Sequence, residues 1–481
     1  MNHRMIVNTI GKMVLLEAGL LLLPLATALV YGESCAVDFL ITIGISAAVG
    51  LLLVRTVRPR SSVIYAREGF VICAVTWLVF SAIGALPFVL SGEIPNYIDA
   101  IFETVSGFTT TGASILTDVE SMSHGMLLWR SFTHWVGGMG ILVFIVAVLP
   151  STSDRTIHIL RAEMPGPTMG KIVPRLRDTA KILYLIYLGM TVVEVILLLA
   201  GGMSFFDSLL HTFGTAGTGG FGIKADSIGS YSPYCQWVIT IFMALFGINF
   251  NLYYLLLVGN VRQVLKSTEL RWYLTIMLGS TAIITANIFS MYSGISESLR
   301  AAAFQVSSIM TTTGYSTVNF DLWPELSKAI LLMLMFIGAC AGSTAGGIKV
   351  SRIVMMFKII KRELRRLLHP RSVSTIKFEG KTVDEQTLSS VSNYFLIYII
   401  CFVVQQLLVS LDNFDFLTNF TAVASCFNNI GPGLGTVGPL GSFAGYSLFS
   451  KAVLSFGMLF GRLEILPMVL AFSPSTWQRS R

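Results

Sequence analysis

The sequence predicts an all-α, polytopic membrane protein with ten transmembrane helices. Composition and apolar runs predict the class, and a motif that recurs four times predicts how the helices are arranged. Of the 481 residues, 54% are hydrophobic and 12% are charged, and the mean hydropathy is +0.73. A soluble core cannot bury that much apolar surface. The chain is therefore predicted to cross a membrane repeatedly.

Ten apolar runs are each long enough to cross a hydrocarbon core about 30 Å thick. They lie at residues 12–31, 37–54, 69–90, 126–149, 180–200, 237–258, 272–291, 329–360, 394–410 and 448–472. The second run follows the first so closely that a cleaved signal peptide is not favoured. Both leading runs are therefore interpreted as transmembrane helices.

The basic residues indicate the orientation of the chain. They are concentrated in alternate connections: Arg55, Arg58, Arg60 and Arg67; Arg155, Arg161, Lys171, Arg175, Arg177 and Lys181; Arg262, Lys266 and Arg271; and the cluster at 352–381. Because cytoplasmic loops are enriched in lysine and arginine, both termini are predicted to be cytoplasmic. Orientation thereby explains the net charge of +7, and no nucleic-acid partner is predicted.

Four outward connections each carry a second, shorter apolar segment followed by a glycine-containing turn. The segments lie at 97–109, 205–216, 296–310 and 414–426, and the turns read TTTGAS (109–114), GTGGFG (217–222), TTTGYS (311–316) and NNIGPGLG (428–435). About a dozen residues cannot span a bilayer, but that length is typical of a re-entrant half-helix. Aligning Gly112, Gly219, Gly314 and Gly431 places span, half-helix, turn and span in the same order four times. The sequence therefore predicts four repeats in pseudo-fourfold arrangement around one ion pore, preceded by two extra helices.

The repeats divide the chain into five units. Residues 1–67 hold the two leading helices, and 68–150 form the first repeat. Residues 151–261 form a cytoplasmic loop with the second repeat, 262–370 the third repeat with a broken second helix, and 371–481 a cytoplasmic linker with the fourth repeat.

The four turns indicate a cation site. Non-helical backbone at membrane depth is tolerated only where it is buried in protein or faces water or an ion. Four such turns about one axis can direct carbonyl and threonine oxygens at a dehydrated monovalent cation, the device used in K⁺ channel filters. The negative carboxyl ends of the half-helices favour a cation there as well. One TTTG alone is more typical of an ordinary polar loop, but four in register favour a pore.

Further motifs carry a resemblance to a known family. They are FETVSGFTTTGAS (102–114), HWVGGMGILVF (134–144), AEMPGPTMGKIVPRLRDTAKILY (162–184), GINFNLYY (247–254), CAGSTAGGIK (340–349) and GRLEILP (461–467). With these motifs the chain resembles the Trk/Ktr/HKT superfamily of K⁺ transporters, over about residues 69–467. The two leading spans fit its TrkH branch better than the shorter Ktr subunits.

The resemblance implies a K⁺-binding filter of backbone oxygens. Its residues would be Thr110, Thr111, Gly112, Gly217, Thr218, Gly219, Thr312, Thr313, Gly314, Asn429, Ile430 and Gly431. Glycine at all four filter positions is the pattern of the K⁺-selective members, whereas serine in the first turn marks Na⁺-permeant ones. The second turn departs slightly, since it reads GTAGTGG where relatives usually have a serine before the threonine.

Two features are predicted to form a gate. The first is GACAGSTAGGIK at 338–349, whose glycines, serine and threonine would break the eighth span. A close-packing seam of small residues is the alternative. The resemblance instead implies an intramembrane loop that obstructs the pore below the filter, formed by Gly342, Ser343, Thr344, Ala345, Gly346 and Gly347.

The second gating feature is Arg462, the only basic residue far from either end of the last predicted span. A charge inside a membrane is costly and tends to face a partner or a water-filled cavity. A structural ion pair with Glu464 is the alternative. In the family this arginine projects into the pore.

The remaining polar residues suggest no chemistry. The outer acidic residues, among them Asp99, Glu103, Asp207 and Asp415, are interpreted as solvated or helix-capping charges that together attract cations. The histidines form no cluster and the six cysteines have no metal-ligand spacing. We therefore expect no enzyme activity and no cofactor in this chain.

The predicted function is K⁺-selective uptake, also of Rb⁺, by channel-like conduction down the electrochemical gradient. The alternative is a symporter that couples K⁺ to H⁺ or Na⁺. Symport would be favoured by an ionisable residue beside the filter, and the sequence suggests none except Arg462. The resemblance implies a homodimer in the bacterial inner membrane, resting on the cytoplasmic nucleotide-binding regulator TrkA. The basic segment 352–381 is where that contact is expected, although an anionic lipid surface would attract the same residues.

Overall fold

The computed structural model describes residues 1–58, 66–140, 176–370 and 374–477. Most of these residues are helical. The helices are α1 His3–Leu20, α2 Leu22–Tyr31, α3 Cys35–Thr56, α4 Ala66–Gly84, α5 Leu86–Leu90, α6 Tyr97–Phe108, α7 His124–Gly138, α8 Leu176–Ala200, α9 Phe205–Gly217, α10 Pro233–Phe246, α11 Phe250–Leu257, α12 Val261–Lys266, α13 Thr268–Ile288, α14 Ile295–Met310, α15 Glu325–Ile337, α16 Val350–Leu368, α17 Glu385–Val409, α18 Phe416–Asn428, α19 Leu448–Arg462, α20 Ile465–Phe472 and α21 Pro474–Trp477. Short 3₁₀ turns lie at Phe289–Met291, Phe320–Leu322, Ser410–Asp412 and Gly435–Val437.

Six helical stretches of the described residues are long and apolar enough to cross a membrane. They are His3–Tyr31, Cys35–Thr56, Arg67–Leu90, Ala180–Ala200, Thr268–Met291 and Glu385–Asp412. The pair α10 and α11 is a seventh candidate, although it bends by 93°. These stretches coincide with seven of the ten predicted runs.

The other three predicted runs are not continuous helices in the described residues. Helix α7 ends at Gly138, and 141–149 lie outside the described residues. Residues 338–349 separate α15 from α16, which confirms the predicted break, and Leu463 and Glu464 separate α19 from α20. The sequence analysis predicted only the break in the third repeat. The second long helix of the second repeat also bends, between α10 and α11, and that of the fourth repeat breaks between α19 and α20.

The four predicted half-helices are present as α6, α9, α14 and α18, with bounds within two residues of those predicted. Each packs between the two long helices of its own repeat. Each also packs on the second helix of the preceding repeat: α9 on α7, α14 on α10, α18 on α15, and α6 on α19. Because the fourth repeat contacts the first, the repeats follow one another in closed order.

Acidic residues lie at the amino ends of the half-helices. Asp99, Asp207 and Glu297 occupy the first turns of α6, α9 and α14, while Asp415 caps α18. The Asp415 carboxylate accepts hydrogen bonds from the hydroxyl and the N–H of Thr418 at 2.6 and 3.0 Å. These bonds lower the pKa of Asp415. Negative charge at a helix amino end is stabilising, and the interpretation as a capping charge is confirmed for Asp415. The other three lie in the first turn and are not the capping residue.

A small hairpin, β1 Lys377–Phe378 and β2 Lys381–Thr382, lies in the linker before the fourth repeat. The sequence analysis did not predict it. Its two turn residues, Glu379 and Gly380, have φ of 48° and 75°, as a type I′ turn requires. The Glu379 carboxylate accepts hydrogen bonds from the Ser267 hydroxyl at 3.1 Å and the Glu269 N–H at 2.9 Å. The hairpin is thereby fixed to the start of α13.

Candidate functional site

The four half-helices end in the same way. The residue at the turn has left-handed backbone each time: Thr110 (φ 55°), Thr218 (58°), Thr312 (57°) and Asn429 (58°). The next N–H then bonds back to a carbonyl of the helix: Thr111 to Ser106, Gly219 to Gly214 and Thr313 to Ser308 at 2.8 Å, and Ile430 to Ser425 at 2.9 Å. This is the long bond of the Schellman motif. Left-handed backbone costs an L-residue about 1–2 kcal/mol, so the chain keeps the same strain in four places, as is typical of functional sites.

This repeated geometry corrects the alignment of the second turn. Two residues beyond each left-handed position stand Gly112, Gly220, Gly314 and Gly431. The sequence analysis had placed Gly219 in this set, which is wrong by one residue because adjacent glycines give a motif no unique register. Gly217 is the last residue of α9, and Gly219 corresponds to Thr111. The turn equivalent to residues 110–112 is therefore 218–220.

The four aligned glycines bring the turns into contact in closed order. A Cβ built on Gly112 would lie 2.8 Å from the Gly220 nitrogen, and one on Gly431 would lie 2.8 Å from the Thr111 oxygen. A Cβ on Gly220 would overlap Thr313 O, and one on Gly314 would overlap Ile430 O, more deeply still. Only hydrogen fits at these four positions, and the turns therefore approach one another backbone to backbone.

Eight backbone carbonyl oxygens of the turns accept no hydrogen bond from the residues that the structure describes. They belong to Thr110, Thr111, Thr218, Gly219, Thr312, Thr313, Asn429 and Ile430. All eight residues are buried. A buried polar group without a partner is costly, so this cluster of oxygens is suited to hold a cation or water.

The threonine hydroxyls mostly brace the turns. Thr109 and Thr111 share a hydrogen bond of 2.8 Å, and Thr311 and Thr313 repeat it at 2.8 Å. Thr111 also accepts the side-chain amide of Asn429 at 2.9 Å, which joins the fourth turn to the first. The sequence analysis expected these hydroxyls to add oxygens for an ion, whereas the structure uses several of them to fix neighbouring backbone.

A cavity of about 160 Å³ adjoins the turns. The four aligned glycines line it together with residues that follow each turn, including Ser114, Ser227 and Ser316. It places a small polar chamber directly next to the unbonded carbonyls.

Arg462 contacts three parts of the site at once. Its guanidinium donates to the carbonyls of Gly137 and Gly138 at 2.5 and 2.6 Å, to Thr344 O at 2.6 Å, and to the Thr110 hydroxyl at 3.3 Å. The alternative ion pair with Glu464 is contradicted, because Glu464 pairs with Arg352 at 2.6 Å. Glu464 begins a new helix after the break with φ 54°, and the two side chains diverge there.

The segment 338–349 packs against the turns and is not helical, which contradicts the alternative of a helical packing seam. The Gly346 N–H donates to the Thr312 hydroxyl at 2.6 Å, and the Gly347 N–H donates to Asn428 O at 3.1 Å. The segment also bonds to the bend between α10 and α11, through Cys340 N–H to Gly247 O at 3.1 Å. All six predicted loop residues of the gate lie in this segment: Gly342, Ser343, Thr344, Ala345, Gly346 and Gly347.

Glu269 is a site residue that the sequence analysis missed. Its carboxylate accepts the N–H of Ala341 at 2.7 Å and that of Ser351 at 3.2 Å, across the segment 338–349. In the sequence Glu269 lies two residues after Ser267 at the start of a helix, where acidic residues are common. Nothing in the sequence therefore distinguished it as a site residue. Together with Glu379 it connects the hairpin to the segment 338–349.

Several buried ionisable residues near the second turn were not predicted. Glu194, His134 and His211 are each 0% exposed. His134 Nδ1 lies 2.7 Å from Gly107 O and packs against Gly219, while His211 Nε2 lies 3.1 Å from the Tyr231 hydroxyl. The expectation that only Arg462 lies beside the turns is wrong, because side chains from α7, α8 and α9 converge there in a way that no local motif records.

Glu103 also departs from its expected role. It was interpreted as a solvated outer charge, but it is 1% exposed and paired with Arg130 at 2.6 Å. Within the described residues no group of three or more histidine, cysteine or acidic side chains could hold a metal ion. The six cysteines are free thiols, five of them buried.

Comparison with known proteins agrees with this architecture. The family model TrkH, described as a cation transport protein, matches residues 36–479. The chain is 38% identical over 485 residues to the Trk system potassium uptake protein TrkH of Salmonella typhimurium, covering 99% of this chain and 100% of that protein. The Escherichia coli K12 protein of the same name gives the same identity and coverage. The crystal structure of the potassium transporter TrkH from Vibrio parahaemolyticus superposes with a TM-score of 0.89, at 33% identity over 99% of this chain and 100% of that one.

The contact between turns predicts unequal tolerance of an added methyl group. Gly314→Ala should lower the thermal unfolding midpoint in detergent more than Gly112→Ala, because its Cβ overlaps backbone more deeply. Gly259→Ala is the matched control, since Gly259 has φ 82° with nothing within 4 Å. That control should lose only about 1 kcal/mol, for the backbone conformation alone. Equal midpoints for Gly314→Ala and Gly259→Ala would contradict the close approach of the turns.

Proposed function

This chain belongs to the TrkH family of cation transport proteins, and we propose that it is a K⁺-selective uptake protein, also permeable to Rb⁺. In this proposal K⁺ passes down its electrochemical gradient through the ring formed by residues 110–112, 218–220, 312–314 and 429–431. The observation that carries the proposal is the group of eight buried carbonyl oxygens that accept no hydrogen bond from any described residue. The curated relatives, named as potassium uptake proteins, support the choice of ion.

The driving force for this conduction is the membrane potential. Moving one charge across 100 mV is worth about 2.3 kcal/mol, which corresponds to roughly fiftyfold accumulation. Consecutive carbonyls within the ring of four turns offer an ion successive sites of similar chemistry, so binding can be selective while exit stays fast. No enzymatic step is required.

The proposed architecture is a pore of four pseudo-fourfold repeats behind two leading helices, with ten transmembrane helices in all. The closed order of contacts among half-helices and second helices supports it. The alternating basic connections support an inner-membrane location with both termini in the cytoplasm.

The proposed gate consists of the segment 338–349 and Arg462. The hydrogen bond from Arg462 to Thr344 O joins these two elements, and bonds to Thr110 and Thr312 hold them against the first and third turns. A guanidinium beside the ion path opposes a passing cation. Releasing this assembly would clear the path.

The proposed partners are a second copy of this chain and a cytoplasmic nucleotide-binding regulator of the TrkA type. In the sequence, the basic segment 352–381 follows the proposed gate segment closely and includes most of the hairpin. Glu379 bonds to the start of α13, and Glu269, in the first turn of α13, bonds to Ala341 in the gate segment. Force applied at the hairpin would therefore reach the gate through two hydrogen-bonded carboxylates.

The second candidate function is symport of K⁺ with H⁺. The buried Glu194, His134 and His211 favour it, since a symporter needs a protonatable group near its ion site. Reversal potentials under an imposed pH gradient distinguish the two. A reversal potential that follows K⁺ alone supports the channel-like pore, and one that also follows pH supports symport.

The proposed selectivity predicts a specific uptake profile. Proteoliposomes loaded with K⁺ and diluted into Na⁺ should accumulate tracer Rb⁺, because the outward K⁺ gradient makes the interior negative. Excess external K⁺ should compete with the tracer, whereas equal Na⁺ should not. Gly112→Ser should weaken this discrimination, because its side chain disturbs one of four aligned positions. Unchanged Rb⁺ uptake by that variant under excess Na⁺ would contradict the filter assignment.

The Arg462 barrier predicts faster flux when the charge is removed. At about 10 Å and an effective dielectric constant near 20, the repulsion of a passing K⁺ is roughly 1.7 kcal/mol, somewhat more than tenfold in rate. Arg462→Ala should therefore raise Rb⁺ flux without the regulator, and Arg462→Lys should retain much of the barrier. Glu464→Ala is the control, because it leaves Arg352 unpaired and should cost stability without raising flux. Reduced flux together with reduced stability in Arg462→Ala would refute the barrier.

The obstruction by the gate segment predicts that shortening it opens the pore. Deletion of residues 343–346 removes the groups that bond to Thr312 and Arg462. Flux per folded protein should rise, as measured by tracer uptake in liposomes matched by size-exclusion yield. Lower flux from an equal amount of folded protein would show that the segment supports the pore and does not obstruct it.

A further inference from the structure

Polar contacts connect the backbone stretch after each turn to the stretch after a neighbouring turn. We call these stretches outer limbs 1 to 4, at residues 113–117, 221–228, 315–321 and 432–443. The contacts are Arg130 Nη1 to Gly222 O at 2.9 Å for limb 2, Ile228 N to Ser316 O at 2.9 Å between limbs 2 and 3, Gly435 N to Asp321 Oδ1 at 3.3 Å between limbs 3 and 4, and Phe443 N to Ser114 O at 2.9 Å between limbs 4 and 1. The contact at limb 2 is made by a guanidinium from α7.

That guanidinium is bound to a carboxylate that holds limb 1. Arg130 Nε donates to Glu103 Oε1 at 2.6 Å. Glu103 also accepts the Ser114 hydroxyl at 2.9 Å and the Ile115 N–H at 3.0 Å. The pair therefore links limb 1, through Glu103, to limb 2, through Arg130.

The pair is fully enclosed. Arg130 is 3% and Glu103 1% exposed, and the guanidinium carbon lies 3.6 Å from the centre of the Phe221 ring in limb 2. Burying two charges is expensive, and apolar replacements of similar size are often as stable. Stability alone is thus a weak reason for an ion pair here.

The position of the pair suggests a stronger reason. Arg130 lines the cavity next to the aligned glycines, where an uncompensated positive charge would repel a cation. The Glu103 carboxylate cancels that charge, while the fork of the guanidinium holds Gly222 O and Glu103 together in fixed geometry. Limb 1 continues directly from Gly112 and limb 2 from Gly220, so the pair fixes two of the four turns relative to each other.

We propose that Glu103 and Arg130 form a positioning pair that sets K⁺ over Na⁺ selectivity by holding limbs 1 and 2 at a fixed spacing. This inference rests on the proposed conduction through the turns. Discrimination between cations of different size depends on the spacing and field of the oxygens. Loosening the contact between limbs 1 and 2 therefore lowers selectivity without closing the path.

Two variants separate positioning from folding. Glu103→Gln with Arg130→Met removes both charges together, keeps an acceptor for Ile115 N–H, and leaves an apolar chain of similar length over Phe221. Arg130→Lys keeps the charge pair but replaces the planar fork, whose Nε and Nη1 hold Glu103 and Gly222 O in fixed relative positions, with one freely rotating ammonium group. The matched control is Asp99→Asn with Lys451→Met. That pair is 2.8 Å apart and mostly buried, and among the described residues neither side chain bonds to a turn or an outer limb.

The test is the K⁺ to Na⁺ permeability ratio from reversal potentials in planar bilayers, on protein matched for thermal unfolding midpoint. We expect the ratio to fall about three- to tenfold in both Arg130 variants, the effect of one hydrogen bond, and to stay at the wild-type value in the Asp99 and Lys451 control. A merely structural role would scale K⁺ and Na⁺ currents together, so an unchanged ratio in Arg130→Lys would overturn the proposal. An equal fall in the control would overturn it too. A wild-type protein without K⁺ selectivity would overturn the proposed function itself.

Discussion

The requirement that buried backbone oxygens be satisfied is the constraint on which this structure depends. Each half-helix stops inside the protein at a left-handed residue, from Thr110 in the first repeat to Asn429 in the fourth. The Schellman bond satisfies one carbonyl of the helix, but the two carbonyls that follow it have no partner among the described residues. Repeated four times in contact, this local ending becomes a cluster of oxygens that only a polar occupant can satisfy.

The close approach of the turns in turn determines the surrounding helices. A glycine packs against the end of a half-helix near the point where each second helix ends, bends or breaks: Gly137 against Phe108, Gly247 against Thr311, Gly346 against Asn428, and Gly461 against Phe427. Helices that stop at this level expose further carbonyls, and Arg462 binds those of Gly137 and Gly138. The same breaks that make room for the half-helices thus provide the binding positions for the proposed gate.

Much of this could be predicted from the sequence because the signals are local. Apolar length gave the half-helices within two residues, and glycine content gave the break at 338–349. The break at Leu463 and Glu464 was not predicted, although Gly461 precedes it and Pro467 follows it, because single glycines and prolines are tolerated in membrane helices. The alignment failed at Gly219 because neighbouring glycines are equivalent until the backbone distinguishes them. Glu103 and Glu269 were misread or missed, since their partners are distant in sequence or are backbone N–H groups.

The most direct test of the account is to locate the cation. Crystals grown in Rb⁺ or Tl⁺, measured at the absorption edge of that ion, should show anomalous peaks surrounded by the carbonyls of residues 110–111, 218–219, 312–313 and 429–430. Crystals grown in Na⁺ alone should lack them. Anomalous peaks confined to the outer cavity or to the protein surface, with none among these carbonyls, would contradict the claim that the four turns form the ion site.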